Sequence, residues 1–222
     1  MASSPPNLVA PLQQAFLQQF FSDQPEFFLT GGTALAGWYL FHRRSDDLDL
    51  FTVSDQAWSG ARSRVRRVAA ALDATLEEVR SEPGFHRYVL TPRSGASALV
   101  DCVRDQDLQI VTAKPVRDGI CVDAIEDIIC NKLAAIVSRT EIKDFVDLFC
   151  LHEKGYNLRK FVEPTQRKFG GIERGVLAAS LSRFRLEASP EYMAAPLDPA
   201  SVNAFLAGLA EDLALDAFPH AG

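Results

Sequence analysis

Hydrophobic and polar positions follow two regimes along the chain, with helical and strand periods alternating up to about residue 115 and helical spacing prevailing after it. Leu8, Leu12, Ala15, Phe16 and Phe20 recur at three- and four-residue intervals. This spacing predicts an amphipathic helix over Asn7 to Phe21, behind a proline-containing start. Pro25 closes the turn, and Phe27-Phe28-Leu29-Thr30 predicts a short apolar strand. Gly31-Gly32 follows at once. Thr33 to Phe41 is then apolar nearly all round, which predicts a buried helix. Asp47 to Val53 alternates polar and apolar residues, as a half-buried strand does. Ser54-Asp55 predicts a cap for a helix reaching about Leu72. Strand-like stretches follow at Thr75 to Arg80, Phe85 to Thr91 and Ala96 to Val103, with turn residues at Gly84 and Pro92 to Gly95 between them.

Near Pro115 the pattern changes. Asp123-Ala-Ile-Glu126 has the form of a capping box and predicts a long helix through Arg139. Another helix is expected over roughly Glu141 to His152. From Leu158 onward the pattern is helical, broken at Gly170-Gly171 and around Pro190 to Pro199. The expected fold class is therefore α+β. Residues 1–115 form a small mixed sheet flanked by helices, and residues 116–222 form an α-helical domain.

Composition narrows the function classes. A hydrophobic share of 47% over 222 residues supplies a core for one domain or a compact pair. No apolar run approaches the ~20 residues needed to span a bilayer. The start, Met-Ala-Ser-Ser-Pro-Pro, lacks a signal core, so a cytoplasmic location with no membrane partner is expected. Cys102, Cys121, Cys130 and Cys150 lie far apart with no C-x-x-C pair, which favours buried reduced thiols over a zinc site. A net charge of -6 argues against binding nucleic acid over the whole surface but allows a local basic groove.

Three features carry candidate chemistry. In Asp47-Leu48-Asp49 the two carboxylates stand two apart on a strand and so share a face. Oxygen ligands converging in this way suit a hard divalent cation. Asp101 lies between Val100 and Cys102 on an apolar strand, where a bare carboxylate is costly to bury. If that strand neighbours the first, Asp101 supplies a third metal ligand. The Gly31-Gly32 turn lets backbone N–H groups approach a phosphate at the helix N-terminus, and Thr33 can add a hydroxyl donor. Taken singly, these are a solvated strand face, a plain turn and a capping carboxylate. Their order and spacing point to a site.

Those residues also carry a family resemblance. Gly31-Gly32-Thr33-Ala34-Leu35, then His42-Arg43-x-Ser45-x-Asp47-Leu48-Asp49-Leu50-Phe51, resembles the AbiEii/AbiGii toxin family of nucleotidyltransferases, within the DNA polymerase beta superfamily. Lys132-x-x-Ala135-x-x-x-Arg139-x-x-x-Lys143-Asp144-Phe145-x-Asp147-Leu148 resembles that family's later motif. Beyond about Gly155 only a generic helical tail is similar.

The resemblance implies a nucleotidyltransferase fold whose helical domain completes the active site. It implies transfer of a nucleoside monophosphate from an NTP to an acceptor hydroxyl, with release of pyrophosphate. The implied cofactor is Mg2+, as two ions, or Mn2+ in its place, with Asp47, Asp49 and Asp101 as ligands. Two metals ~4 Å apart would clamp the attacking and leaving oxygens. Gly31, Gly32, Thr33, Ser45 and Lys132 form the implied nucleotide-binding set, and Asp144 is implied to act in the active site, as a base or otherwise. Some members are toxins of toxin–antitoxin or phage-defence systems, and some modify transfer RNA acceptor ends. The implied partners are therefore an NTP, an RNA such as tRNA and a cognate antitoxin. A small-molecule or protein acceptor, and a nucleotide-binding module without turnover, are the alternatives.

Several residues stay open at this level. Lys132 and Arg139, seven apart, share a helix face, as do Asp144 and Asp147, three apart, so interhelical salt bridges are the competing reading of that spacing; function is the reading taken for Lys132 and Asp144, and structure for Arg139, Lys143 and Asp147. Arg43 and Ser45 hold either the loop or a phosphate. Arg62, Arg64, Arg66 and Arg67 form the densest basic cluster, readable as an RNA-contacting face, an antitoxin contact or a solvated helix face.

Overall fold

In the computed structural model, which describes residues 8–217, the first helix, α1 (Pro11–Phe20), opens at a proline. Proline suits this position because the N–H it lacks would have no partner within the helix. The helix starts later than expected. Asn7, its anticipated first residue, and His220 lie outside the described residues.

β1 (Phe28–Thr30) runs straight into α2 (Gly31–Ala34), which continues as a wider π-helical segment over Leu35–Leu40. The run ends at Phe41, whose φ of 53° is left-handed. An α-helix through Phe41 was expected. The observed widening gives its C-terminal turn outside partners: Arg117 donates to the Trp38 carbonyl at 3.1 Å and lies over the Tyr39 ring.

β2 (Asp47–Thr52) follows, then α3 (Asp55–Ala71), where the Ser54 hydroxyl accepts from the Ala57 N–H at 3.2 Å as the expected cap. β3 (Thr75–Glu82), β4 (Phe85–Thr91) and β5 (Ala98–Arg104) complete a five-stranded sheet in the order β1-β2-β5-β4-β3. β2 and β5 are parallel and every other pair is antiparallel. Burial alternates along β2 and β4 and divides the sheet into two faces. Leu48, Leu50, Tyr88, Leu90 and Val100 lie on the face covered by α3, whose Ala61, Val65 and Val68 are equally buried. The opposite face carries Asp47, Asp49, Phe85 and Arg87, since residues two apart on a strand share a face.

A short hairpin, β6 (Val116–Arg117) and β7 (Ile120–Cys121), leads to Val122, which bridges to Leu29. Asp123, expected to open a capping box, accepts the Thr30 hydroxyl at 2.6 Å and the Lys114 ammonium at 2.7 Å. Helices α4 (Ile125–Ser138) and α5 (Ile142–Glu153), a 3-10 turn (Leu158–Phe161), α6 (Val162–Phe169), α7 (Arg174–Arg183) and α8 (Pro199–Ala217) make up the remainder.

The chain divides into two compact units. One comprises Met1–Gln106 and Ala113–Ala124; the other comprises Asp107–Thr112 and Ile125–Gly222. The expected division at 115/116 differs for identifiable reasons. The bridge from Val122 and the contacts of Asp123 tie residues 113–124 to β1. Residues 107–112 go with the helices, because the N–H groups of Ile110 and Val111 both donate to Asp127 at 2.9 Å, and Lys168 pairs with the same carboxylate at 2.7 Å. Among the described residues no helix is long and apolar enough to cross a membrane. None of the four cysteines is in a disulfide. Cys102 and Cys130 are buried as expected, whereas Cys121 and Cys150 are half-buried.

Candidate active site

The sheet register assembles a transverse row of polar side chains. Thr30 pairs with Asp49, Asp49 with Asp101, and Asp101 with Arg87. β5 is thus the parallel neighbour of β2, and it sets Asp101 directly beside Asp49. Asp47 stands on the same face one pleat away.

Asp101 is 5% exposed and its burial is compensated by one partner. Arg87 Nε donates to Oδ1 at 2.8 Å and Nη2 to Oδ2 at 2.6 Å, a bidentate charge-assisted pair. The hydrogen bonds to Asp101 push the Arg87 guanidinium further from deprotonation, and the nearby charges of Asp47 and Asp49 act in the same direction. Arg87 carries no motif in the linear sequence. Only the register of β4 on β5 reveals it.

Gly31 has a φ of 68°, a conformation suited to glycine. A β-carbon here would overlap Asp49 Oδ2 and lie 2.8 Å from Asp49 Cγ. At Gly32 a β-carbon would lie 2.7 Å from Arg43 Nη2 and 2.9 Å from Ser45 Oγ. The glycine pair therefore lets the turn meet a carboxylate on one side, and a guanidinium and a hydroxyl on the other. Arg43 is buried and donates to the Arg44 carbonyl at 2.9 Å, while Gln13 Nε2 holds the Ser45 carbonyl at 2.9 Å. The Thr33 hydroxyl, expected to face a phosphate, donates instead to the Asp47 carbonyl, and its side chain is 1% exposed. It braces the strand that carries the carboxylates.

The donor chemistry of Asp47, Asp49 and Asp101 fits a hard divalent cation, and the Gly31 cradle leaves room for the Asp49 carboxylate. Among the described residues no three such groups stand ready as a preformed cluster. Arg87 accounts for this at Asp101, since it occupies both oxygens.

In the helical unit, Lys132 Nζ lies 2.7 Å from both Asp144 and Asp147, and Arg139 Nε donates to Asp144 at 2.8 Å. Both carboxylates are fully buried, and the Lys132 side chain is 6% exposed. Burial raises the Asp144 carboxyl, but the charges and hydrogen bonds of Lys132 and Arg139 outweigh it, and the net direction is down. Both Asp144 oxygens are thus engaged and buried.

The arginines of α3 are largely spoken for by acidic neighbours. Arg62 pairs with Glu78 at 2.8 Å, Arg66 approaches the same carboxylate at 3.8 Å, and Arg64 and Arg67 pair with Asp23. His86, stacked on Trp58 at 4.6 Å, shares that side of the sheet, and its burial lowers its basicity.

Comparisons with known proteins bear on the fold and the family. The family model described as nucleotidyl transferase AbiEii toxin, type IV TA system, matches residues 15–221. The uncharacterized protein aq_aa25 of Aquifex aeolicus (strain VF5) is 30% identical over 171 residues, covering 72% of this chain and 74% of that protein. Among solved structures, a protein of H. pylori described as a nucleotidyltransferase superposes with a TM-score of 0.60 at 20% identity, covering 94% of this chain and 95% of that one. MenT4, the nucleotidyltransferase toxin Rv2826c of Mycobacterium tuberculosis H37Rv, gives 0.53 at 17% identity, covering 91% and 82%. At these identities the structural likeness speaks to the fold.

Proposed function

The chain belongs to the AbiEii toxin family of nucleotidyltransferases, and from that premise we propose that it transfers a nucleoside monophosphate from an NTP to an RNA hydroxyl, as the toxin of a toxin–antitoxin pair. The observation that carries the proposal is the register of Asp49 on Asp101, with Asp47 on the same face and Gly31 packed against Asp49.

Asp47, Asp49 and Asp101 are the residues that would hold Mg2+. Bound there, the metal supplies Lewis-acid stabilisation of charge on the transferring phosphate. The chain's own groups do the rest. The Gly31-Gly32 turn brings backbone N–H groups to the phosphates at the start of a helical run. Arg43 and Ser45, against Gly32, add a cation and a hydroxyl at the same turn. The acceptor oxygen bonds to the α-phosphorus as the bond to the β-phosphate bridging oxygen breaks. Pyrophosphate leaves, and a carboxylate of the row takes the hydroxyl proton. Lys132, set by Asp144 and Asp147, enters the proposal as a phosphate contact through the family resemblance.

The test is incubation with each labelled NTP in turn, Mg2+ and total RNA. Label in RNA that disappears with chelator is the expected result. Label in protein or a small molecule instead would move the acceptor class, and no transfer from any NTP would reject the activity.

A further inference from the structure

The carboxylate row does not end at Arg87. β3 pairs with β4 through Glu78 opposite Tyr88 and then Arg80 opposite Arg87, leaving Val79 without a partner. This β-bulge changes which way β3 points. Glu78 faces α3, where it meets Arg62 and approaches His86. Arg80, two residues on, would share that face in a regular strand. The extra residue turns it to the face of Arg87 instead. Thr30, Asp49, Asp101, Arg87 and Arg80 thus form one line across all five strands, acidic in the middle and basic toward the β3 edge. At the ~4.8 Å spacing of strands, Arg80 stands about 14 Å from Asp49.

Phe85 completes the basic end. Its ring is half-buried on this same face, with the guanidinium of Arg80 5.2 Å from its centroid and that of Arg87 at 5.7 Å. Arg80 is otherwise paired with Glu82 at 2.8 Å, but both side chains are more than half exposed. Such a pair is worth little and opens readily to a phosphate.

We propose that Arg80, Phe85 and Arg87 form the subsite that carries the acceptor RNA strand toward the carboxylates, with the arginines on its phosphates and the Phe85 ring beneath a base. This rests on the transferase reading above for the direction of the strand. The chemistry of the subsite is what single-stranded nucleic acid requires: cations along a backbone track and an aromatic platform beside it. It also places the RNA contacts on the face of the carboxylates. Arg62, Arg64, Arg66 and Arg67 belong to the helix on the other face, away from the carboxylates.

The experiment measures binding of a short fluorescein-labelled single-stranded oligoribonucleotide with a free 3′ hydroxyl, as a function of salt. Arg80→Gln and Phe85→Leu are compared with the paired change Arg66→Gln and Arg67→Gln, after thermal melting has shown each to be folded. Arg80→Gln should lower the slope of log affinity against log salt by ~0.7. Phe85→Leu should weaken binding by about 5-fold or more. The α3 pair should change neither, and Mn2+-dependent NTP binding should be unaffected throughout. Unchanged affinity and slope in both Arg80→Gln and Phe85→Leu would overturn the subsite, as would their loss in the α3 pair alone. Wild-type protein that binds no RNA yet labels a protein or small molecule would also overturn it, while leaving the transferase reading intact. Conversely, RNA binding lost with Arg80→Gln in a protein that transfers nothing would uphold the subsite and reject the transferase.

Discussion

Gly31 and Asp49 meet so closely that the one can be nothing but glycine while the other keeps its position: a β-carbon on Gly31 would take the space of the Asp49 carboxylate. Gly31→Ala should therefore combine two effects. The positive φ costs about 1 kcal/mol for alanine. Displacement of the carboxylate should lower transfer by about 100-fold. Gly119→Ala is the matched control, with a φ of 78° but open space around it. It should melt at a lower temperature and keep normal turnover per folded molecule. Equal turnover in both variants would show that crowding at Asp49 is immaterial.

Asp47→Asn and Asp49→Asn preserve shape while removing ligand charge. Both should abolish metal-dependent transfer and reduce Mn2+ binding, measured directly by electron paramagnetic resonance. The melting temperature should stay near the wild-type value, because both side chains are partly exposed at one face of the sheet. Near-native turnover in either would remove that residue from the metal site.

Lys132 satisfies two buried carboxylates at once. Its replacement by Ala leaves both without that partner, and loss of ~3–5 kcal/mol of stability is expected. Kinetics of the fraction that remains folded decide what else Lys132 does. A raised KM for NTP agrees with phosphate contact. Unchanged kinetics would reduce Lys132, Asp144 and Asp147 to a structural clasp.

Acid should loosen the helical unit through Asp144. Its carboxyl is held below the ordinary range in the folded protein, against ~3.9 when unfolded. The stability it contributes is therefore complete above about pH 4 and is lost as pH falls through the folded value. Urea midpoints should fall over that acid range in wild type. In Asp144→Asn the same dependence should be shallower from a lower starting stability; identical slopes would assign the acid sensitivity to other carboxylates.

The linear sequence disclosed what local chemistry determines. The Ser54 cap, the strand of Asp47 and Asp49 and the turn at Gly31-Gly32 all follow from neighbours a few residues apart, and each stands where the pattern placed it. The Asp101 strand was legible as a strand, but its place beside β2 is a matter of tertiary pairing. Arg87 and Arg80 were invisible for the same reason, as a strand arginine acquires meaning only from what lies opposite. Thr33 illustrates the converse limit. Its position beside the glycines suggested a ligand contact, yet its hydroxyl is spent on the Asp47 carbonyl. The π-helical widening after Ala34 has no periodic signature, because the segment is apolar nearly all round and tolerates either helical pitch.

The unpaired Val79 has an evolutionary consequence. It is 47% exposed and lies on the outermost strand, so its removal would disturb little packing. Deletion of that one codon would restore a regular ladder in which Arg80 directly follows Glu78, so Arg80 would still stand opposite Arg87 on the carboxylate face. The reach of the row across the sheet is thus indifferent to the bulge residue and is set by the Pro83-Gly84 turn, which pairs Glu82 with Phe85 and so fixes Arg80 opposite Arg87. Relatives that gain or lose one residue in that turn would change their acceptor surface while keeping every catalytic side chain, a route to new specificity through insertion and deletion that leaves the chemistry untouched.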